Sequence, residues 1–183
     1  IRGLPFVTCP NCGLLSLNPQ PDRIDLSSFY GTDYRGQDPR LEWMDPVTER
    51  DAARRYLRAL EARGVTSGNV LLVAPPEHPF GEEAKRHGHS IGLHISIGEM
   101  TKLFTGANEG GPYDAAIVLY QLERAPAPQE ILARIRSSLQ PNGVLLVAAP
   151  CISSQPARWL GNHWTEWRPE NIYYFDKVTI QSL

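Results

Sequence analysis

The chain has 183 residues, 42% hydrophobic and 21% charged, a composition that fits a globular domain and excludes a disordered or fibrous chain. Lys plus Arg number 18 against 20 Asp plus Glu, a formal net charge of −2 that argues against a nucleic-acid binder. No apolar run approaches the roughly 18 residues of a membrane span, and three cysteines do not make a secreted disulfide framework, so a cytoplasmic protein is expected.

Residues 1–40 are rich in turn formers: Cys9-Pro10-Asn11-Cys12-Gly13, Asn18-Pro19-Gln20-Pro21-Asp22 and Tyr30-Gly31-Thr32-Asp33-Tyr34. They predict a loop-dominated leader with at most one short strand, over 14–17. A helix follows, with Asp45 as its cap and Pro46 at its first position. Ala53, Tyr56, Leu57 and Leu60 form its apolar stripe, and Gly64 stops it.

From there strands and helices alternate. Val70-Leu71-Leu72-Val73-Ala74 is a continuous apolar run, as expected of a strand buried on both faces. A helix over 80–87 and a strand over 90–95 come next. Ala115-Ala116-Ile117-Val118-Leu119 predicts another buried strand, 128–139 a helix, and 143–149 a further strand. This alternation predicts parallel βαβ units in a doubly wound sheet. In the last segment Trp159, Trp164 and Trp167 precede Tyr173-Tyr174-Phe175. By composition these rings cover a sheet edge or cap the core, and the competing reading is a lid over a ligand crevice.

In order and spacing these features resemble class I S-adenosylmethionine-dependent methyltransferases, and within them the bacterial group with a zinc-ribbon leader. Cys9-Pro10-Asn11-Cys12-Gly13-Leu14, Asn18-Pro19-Gln20-Pro21 and Phe29-Tyr30-Gly31-Thr32-Asp33-Tyr34 are similar to that leader. Tyr113-Asp114-Ala115-Ala116-Ile117-Val118 resembles the family's fourth strand, and Leu122-Glu123-Arg124-Ala125-Pro126 the loop after it. Leu139-Gln140-Pro141-Asn142-Gly143-Val144-Leu145 resembles the approach to its fifth strand, and 164–175 its aromatic tail. The resemblance implies a Rossmann-like α/β fold, a mostly parallel sheet of order 3-2-1-4-5 that lacks the last antiparallel hairpin. It also divides the chain into a leader with half a zinc ribbon over 1–40 and a methyltransferase-like domain, C-terminally truncated, over 41–183. It puts the aromatic tail on the crevice side, near the carboxyl ends of the first and fourth strands.

Such folds bind ligands where the strand order reverses, at the carboxyl ends of the strands. The resemblance implies a glycine-rich turn after the first strand, but this chain has Ala74, Pro75, Pro76 and Glu77 there. Proline has no N–H to offer a ligand and its ring fills the space glycine leaves open. His94 stands where an acid would hold the cofactor's ribose, and Glu123-Arg124 replaces a Glu-His pair. Asn171 replaces a tail histidine. Two lost N–H donors and the lost carboxylate forfeit on the order of 4–8 kcal/mol, enough to turn micromolar binding into millimolar or weaker. Ala74, Pro75, Pro76, Glu77, His94 and Tyr120 are therefore the expected crevice positions of a degraded cofactor site.

Cys9 and Cys12 supply half of a four-ligand zinc site, so zinc is expected only if upstream residues or a partner chain supply the other ligands. Cys151 reads as a small buried hydrophobe. His87 and His89 read as helix-end residues, Glu77 and Glu82 as complements to a helix dipole. The expected function is a methyltransferase-like scaffold or binding module that binds no cofactor tightly. The alternatives are an active S-adenosylmethionine-dependent methyltransferase for a small sugar- or lipid-type acceptor, and a binding protein for another small ligand. Expected partners are a small molecule or a protein, with no nucleic acid and no membrane, and a homodimer is left open. The absent initiator Met and the abrupt ending at Leu183 read as a piece of a longer chain.

Overall fold

A computed structural model gives the fold, and it describes residues 5–20, 46–96, 99, 111–168 and 170–183. Two sheets organise it. The larger has four parallel strands: β3 (Gly68–Val73), β4 (His89–Ile95), β5 (Tyr113–Leu119) and β6 (Leu139–Ala148), in the order β4-β3-β5-β6. Against the expected 3-2-1-4-5, these are the second, first, fourth and fifth positions. The third would fall within 97–110, which apart from residue 99 lies outside the described residues.

The apolar runs make strands because alternate residues bury on opposite faces. Val70, Leu72, Ala115, Ile117 and Leu119 pack against α1 (Pro46–Glu61) and α2 (Phe80–Arg86) through Ala53, Leu57, Leu60, Phe80 and Ala84. Leu71, Val73, Ala116 and Val118 face the other way, onto Ile131 and Ile135 of α3 (Pro128–Ser138). Both faces are thus covered by helices, as the sequence predicts. Proline opens α1 and α3, where the missing N–H has no partner to lose. Gly64 (φ 87°) and Gly88 (φ 83°) follow α1 and α2 in the left-handed conformation that a side chain would resist.

The second sheet departs from expectation. The leader forms two strands rather than one, β1 (Phe6–Thr8) and β2 (Leu15–Leu17), paired antiparallel. β2 in turn pairs with β7 (Tyr173–Tyr174) near the other end of the sequence, Leu15 opposite Tyr174. The leader hairpin is therefore docked onto the tail. Between β6 and β7 runs α4 (Gln155–Leu160), and α5 (Lys177–Gln181) ends the chain.

The Asp176 side chain caps α5, accepting from Val178 N at 2.9 Å and Thr179 N at 2.8 Å while the Thr179 hydroxyl accepts from Asp176 N. Ile180 and Leu183 pack on the sheet core through this short helix. Asp176→Ala is expected to lower stability by about 1 kcal/mol, as read by urea denaturation. No helix among the described residues is long and apolar enough to cross a membrane.

Candidate functional site at the carboxyl ends of the strands

β3 ends at Val73, and the chain turns through Ala74, Pro75, Pro76, Glu77, His78 and Pro79 into α2 at Phe80. Ala74 is fully buried and its N–H donates to Ile95 O at 3.0 Å, extending the ladder to β4. His78 N donates back to Pro75 O at 3.0 Å, and Phe80 N donates to His78 Nδ1 at 3.1 Å. Pro75, Pro76 and Pro79 have no N–H. Six of the seven residues from 74 to 80 thus have an N–H that is absent or engaged within the protein. Pro76 and Glu77 stand exposed at the tip of the turn.

The turn buries His78, which is 8% exposed, and burial pushes its pKa down to about 4, with His94 adding a smaller like-charge effect. The imidazole is neutral at pH 7. Because Nδ1 accepts from Phe80, its proton sits on Nε2. His94, near the end of β4, is half-buried, and its Nε2 is enclosed without a hydrogen-bond partner. The structure thus brings His94 beside His78 in the turn after β3; in sequence the two belong to a cluster with His87 and His89 whose spacing suits no standard metal motif, and nothing there paired these two.

A carboxylate near the end of β4 was also missed. Glu99 Oε2 accepts from Ser96 N at 3.2 Å and Ser96 Oγ at 3.1 Å, so it holds the turn leaving the strand. Its signal is legible: Ser followed three residues later by Glu is a capping pattern.

Tyr120 leaves β5 with φ 53°, an outlier for a bulky side chain. Its N–H still donates to Ala148 O at 2.8 Å, while its ring turns back so that its hydroxyl meets Tyr56 Oη at 3.2 Å. Burial, then Tyr56, push its pKa upward. Strained backbone of this kind concentrates at sites where a side chain must be aimed.

Beyond Tyr120 lies a short 3-10 turn, Leu122–Arg124, and against it a partly buried ionic cluster. Arg124 Nη2 lies 3.3 Å from Glu170 Oε1, and Arg168 lies 3.9 Å from the same oxygen and 3.4 Å from Glu166 Oε2. Glu123 is 1% exposed, and burial raises its carboxyl to about 7 despite the adjacent Arg124. Its Oε2 has no partner. The sequence singled out Glu123-Arg124 but nothing in it joined that pair to Glu166, Arg168 and Glu170, which follow more than forty residues later.

The aromatic tail adjoins the carboxyl end of the fourth strand, β5, as the resemblance implies, but most of its rings pack with the leader. Trp164, Trp167 and Tyr174 pack with Phe6 and Leu15 of the leader and Ala157 of α4 in a small core of their own. Trp167 meets Tyr174 edge-on at 4.6 Å and Trp164 at 5.2 Å. This core adjoins the chain beyond β5 and β6: Ile172 N donates to Glu123 O at 2.8 Å, and Cys151 bridges Phe175. Tyr173 Oη reaches Pro126 O at 3.4 Å. Trp159 stands apart, 81% exposed on α4. The rings of this small core hold the leader to the tail.

Cys9 is half-buried and Cys12 exposed, both as free thiols, in a turn closed by Gly13 N to Cys9 O at 2.9 Å and Cys9 N to Leu14 O at 2.8 Å. The N–H groups of Cys12 and Asn11, with the Cys12 thiol, hold the Cys9 thiol below its ordinary pKa, which favours a metal-binding or reactive thiolate. Cys151, half-buried beside Ser153, lies in the chain after β6. Among the described residues no three His, Cys, Asp or Glu side chains are gathered as a metal ion would need.

No curated protein and no solved structure matches the chain. A family model described as a methyltransferase domain matches residues 29–183, the parallel sheet and the tail included. With the four-stranded parallel sheet and its helices on both faces, that match over most of the chain identifies it: the protein belongs to the methyltransferase domain family.

Proposed function

We propose that this methyltransferase-type domain has a degraded S-adenosylmethionine site and works as a non-catalytic scaffold or binding module. The observation that carries the reading is the turn after β3. A cofactor seated there needs backbone N–H groups aimed at its charged amino-acid end, and six of the seven residues from 74 to 80 have none to give. The ribose end fares no better. His94 stands in place of a carboxylate, and the nearby Glu99 is engaged by Ser96. The residues present do not fit the cofactor.

The Cys9-Cys12 turn is read as half of a zinc ribbon, its thiolate supported by backbone donors. Zinc binding then requires two further ligands from upstream residues or from a partner chain. A small molecule or a protein remains the proposed partner, and a cytoplasmic site of action the proposed location.

Calorimetric titration of the protein with S-adenosylmethionine tests the central claim. Binding weaker than about 1 mM is expected. A dissociation constant below about 100 μM would overturn the reading and favour an active methyltransferase for a small acceptor. The combined substitution Pro75→Gly, Pro76→Gly and His94→Asp is expected to bring measurable binding back, because it restores two donors and the carboxylate and changes only one strand residue, near the end of β4.

A further inference from the structure

Buried polar groups almost always have partners, so several unpartnered atoms gathered in one place need a reason. At the junction between the turn after β5 and the tail, Glu123 Oε2 and Arg124 Nε are buried without hydrogen bonds. Asn171, fully buried, completes no well-formed hydrogen bond with its amide, although it lies close enough to the Tyr174 hydroxyl to influence it. The same junction carries the hydrogen bond from Ile172 N to Glu123 O, and next to it Leu17 N donates to Ile172 O at 2.8 Å. Glu123, the tail and the leader hairpin are therefore linked in series.

Charged and titratable groups face Glu123 from every side. Tyr120 lies at the end of β5, Arg124 on its own turn, Glu166, Arg168 and Glu170 on the tail, and Tyr174 in β7. Arg124 and Arg168 are both drawn to Glu170, and Arg168 also to Glu166. A carboxylate at Glu123 would face two other carboxylates with its outer oxygen unpaired, whereas a neutral carboxyl leaves the cluster balanced.

We propose that Glu123 is a proton-operated latch: neutral, it lets the tail and the leader hairpin close on the turn after β5, and ionised, it releases them. The strain of an ionised Glu123 is relieved most readily by local opening. The junction is held by short strands of two and three residues, while the parallel sheet behind it is buried on both faces. The inference does not depend on whether the domain binds S-adenosylmethionine.

Hydrogen exchange of the intact chain tests it, read at the Leu17 and Ile172 amides and, as a reference, at amides of β3 and β5. With the carboxyl near 7 when closed and near its ordinary value when open, the opening constant is expected to rise about tenfold from pH 6 to pH 8.5. This is after correction for the intrinsic pH dependence of exchange, and at both pH values the junction amides are expected to open more readily than the reference amides, which exchange only when the sheet unfolds. Glu123→Gln, isosteric with the neutral acid, is expected to remove the pH response and keep the junction closed at both pH values. Glu166→Gln, which removes one facing carboxylate, should move the response to lower pH. An unchanged response in Glu123→Gln, no response in the unsubstituted protein, or junction amides protected as strongly as those of β3 and β5 would each overturn the latch.

Discussion

Tyr174→Ala is expected to lower stability by about 4 kcal/mol and to free the leader hairpin before the parallel sheet unfolds. The ring is fully buried, packed edge-on against Trp167 and against Phe6 at 5.4 Å, with Trp164 tilted beside it at 6.2 Å. Removing it leaves a cavity in a core too small to collapse around the loss. The hydroxyl adds a polar connection: it accepts from Arg168 N at 2.8 Å and donates to Glu166 O at 3.0 Å. Tyr174→Phe keeps the packing but leaves the Arg168 N–H buried and unpaired, and is expected to lower stability by about 1–2 kcal/mol. Urea denaturation gives the totals, and exchange at Leu17, whose N–H pairs with Ile172 O, shows whether the hairpin goes first. A loss below about 1 kcal/mol for Tyr174→Ala would show that the aromatic core does not hold the leader.

His78→Asn is expected to flatten the response of stability to acid. The folded pKa of His78, about 4, lies below the ordinary value near 6.5. Its contribution to stability is therefore present above 6.5 and lost as the pH falls toward 4, because only the unfolded chain takes up the proton in that window. At pH 5 the loss is about 2 kcal/mol. Asparagine keeps an acceptor for Phe80 N and cannot titrate. The stability of His78→Asn relative to the unsubstituted protein should thus rise by about 2 kcal/mol between pH 8 and pH 5 in paired urea titrations. Glu123 acts with the opposite sign: its raised pKa means stability present below 4.5 and lost as the pH rises through about 7. The two slopes oppose each other between 4.5 and 6.5. The unsubstituted chain should therefore vary little there, while each single variant exposes the other group's slope. A stability difference independent of pH would show that His78 is not buried in its neutral form.

Much of the crevice was legible as a set of departures. Pro75 and Pro76 could be read as unable to donate from the sequence alone, since the lack of an N–H is a property of the residue. The engagement of Ala74, His78 and Phe80 within the turn was not legible, because it depends on where β4 ends and how the turn closes. Tyr120 was placed at the crevice, but its positive φ and its pairing with Tyr56 emerge only when α1 packs across the sheet. Glu123 stands out in sequence only through the resemblance, as half of the Glu123-Arg124 pair in place of a Glu-His pair, and nothing there marks it as buried. Its burial comes from the tail folding over it.

The sequence by itself determined the parallel sheet and its helices. Each central strand is an apolar run, and odd and even residues must then bury on opposite faces. Pro46 and Pro128 start helices, and Gly64 and Gly88 end them, through constraints carried by single residues. Only the tertiary structure decided the second sheet, the aromatic core and the ionic junction. β1, β2 and β7 have two or three residues each, too few to display a period, and β2 and β7 are separated by most of the chain. What stabilises them is contact with one another, and contact between distant segments leaves no mark in the local pattern of either.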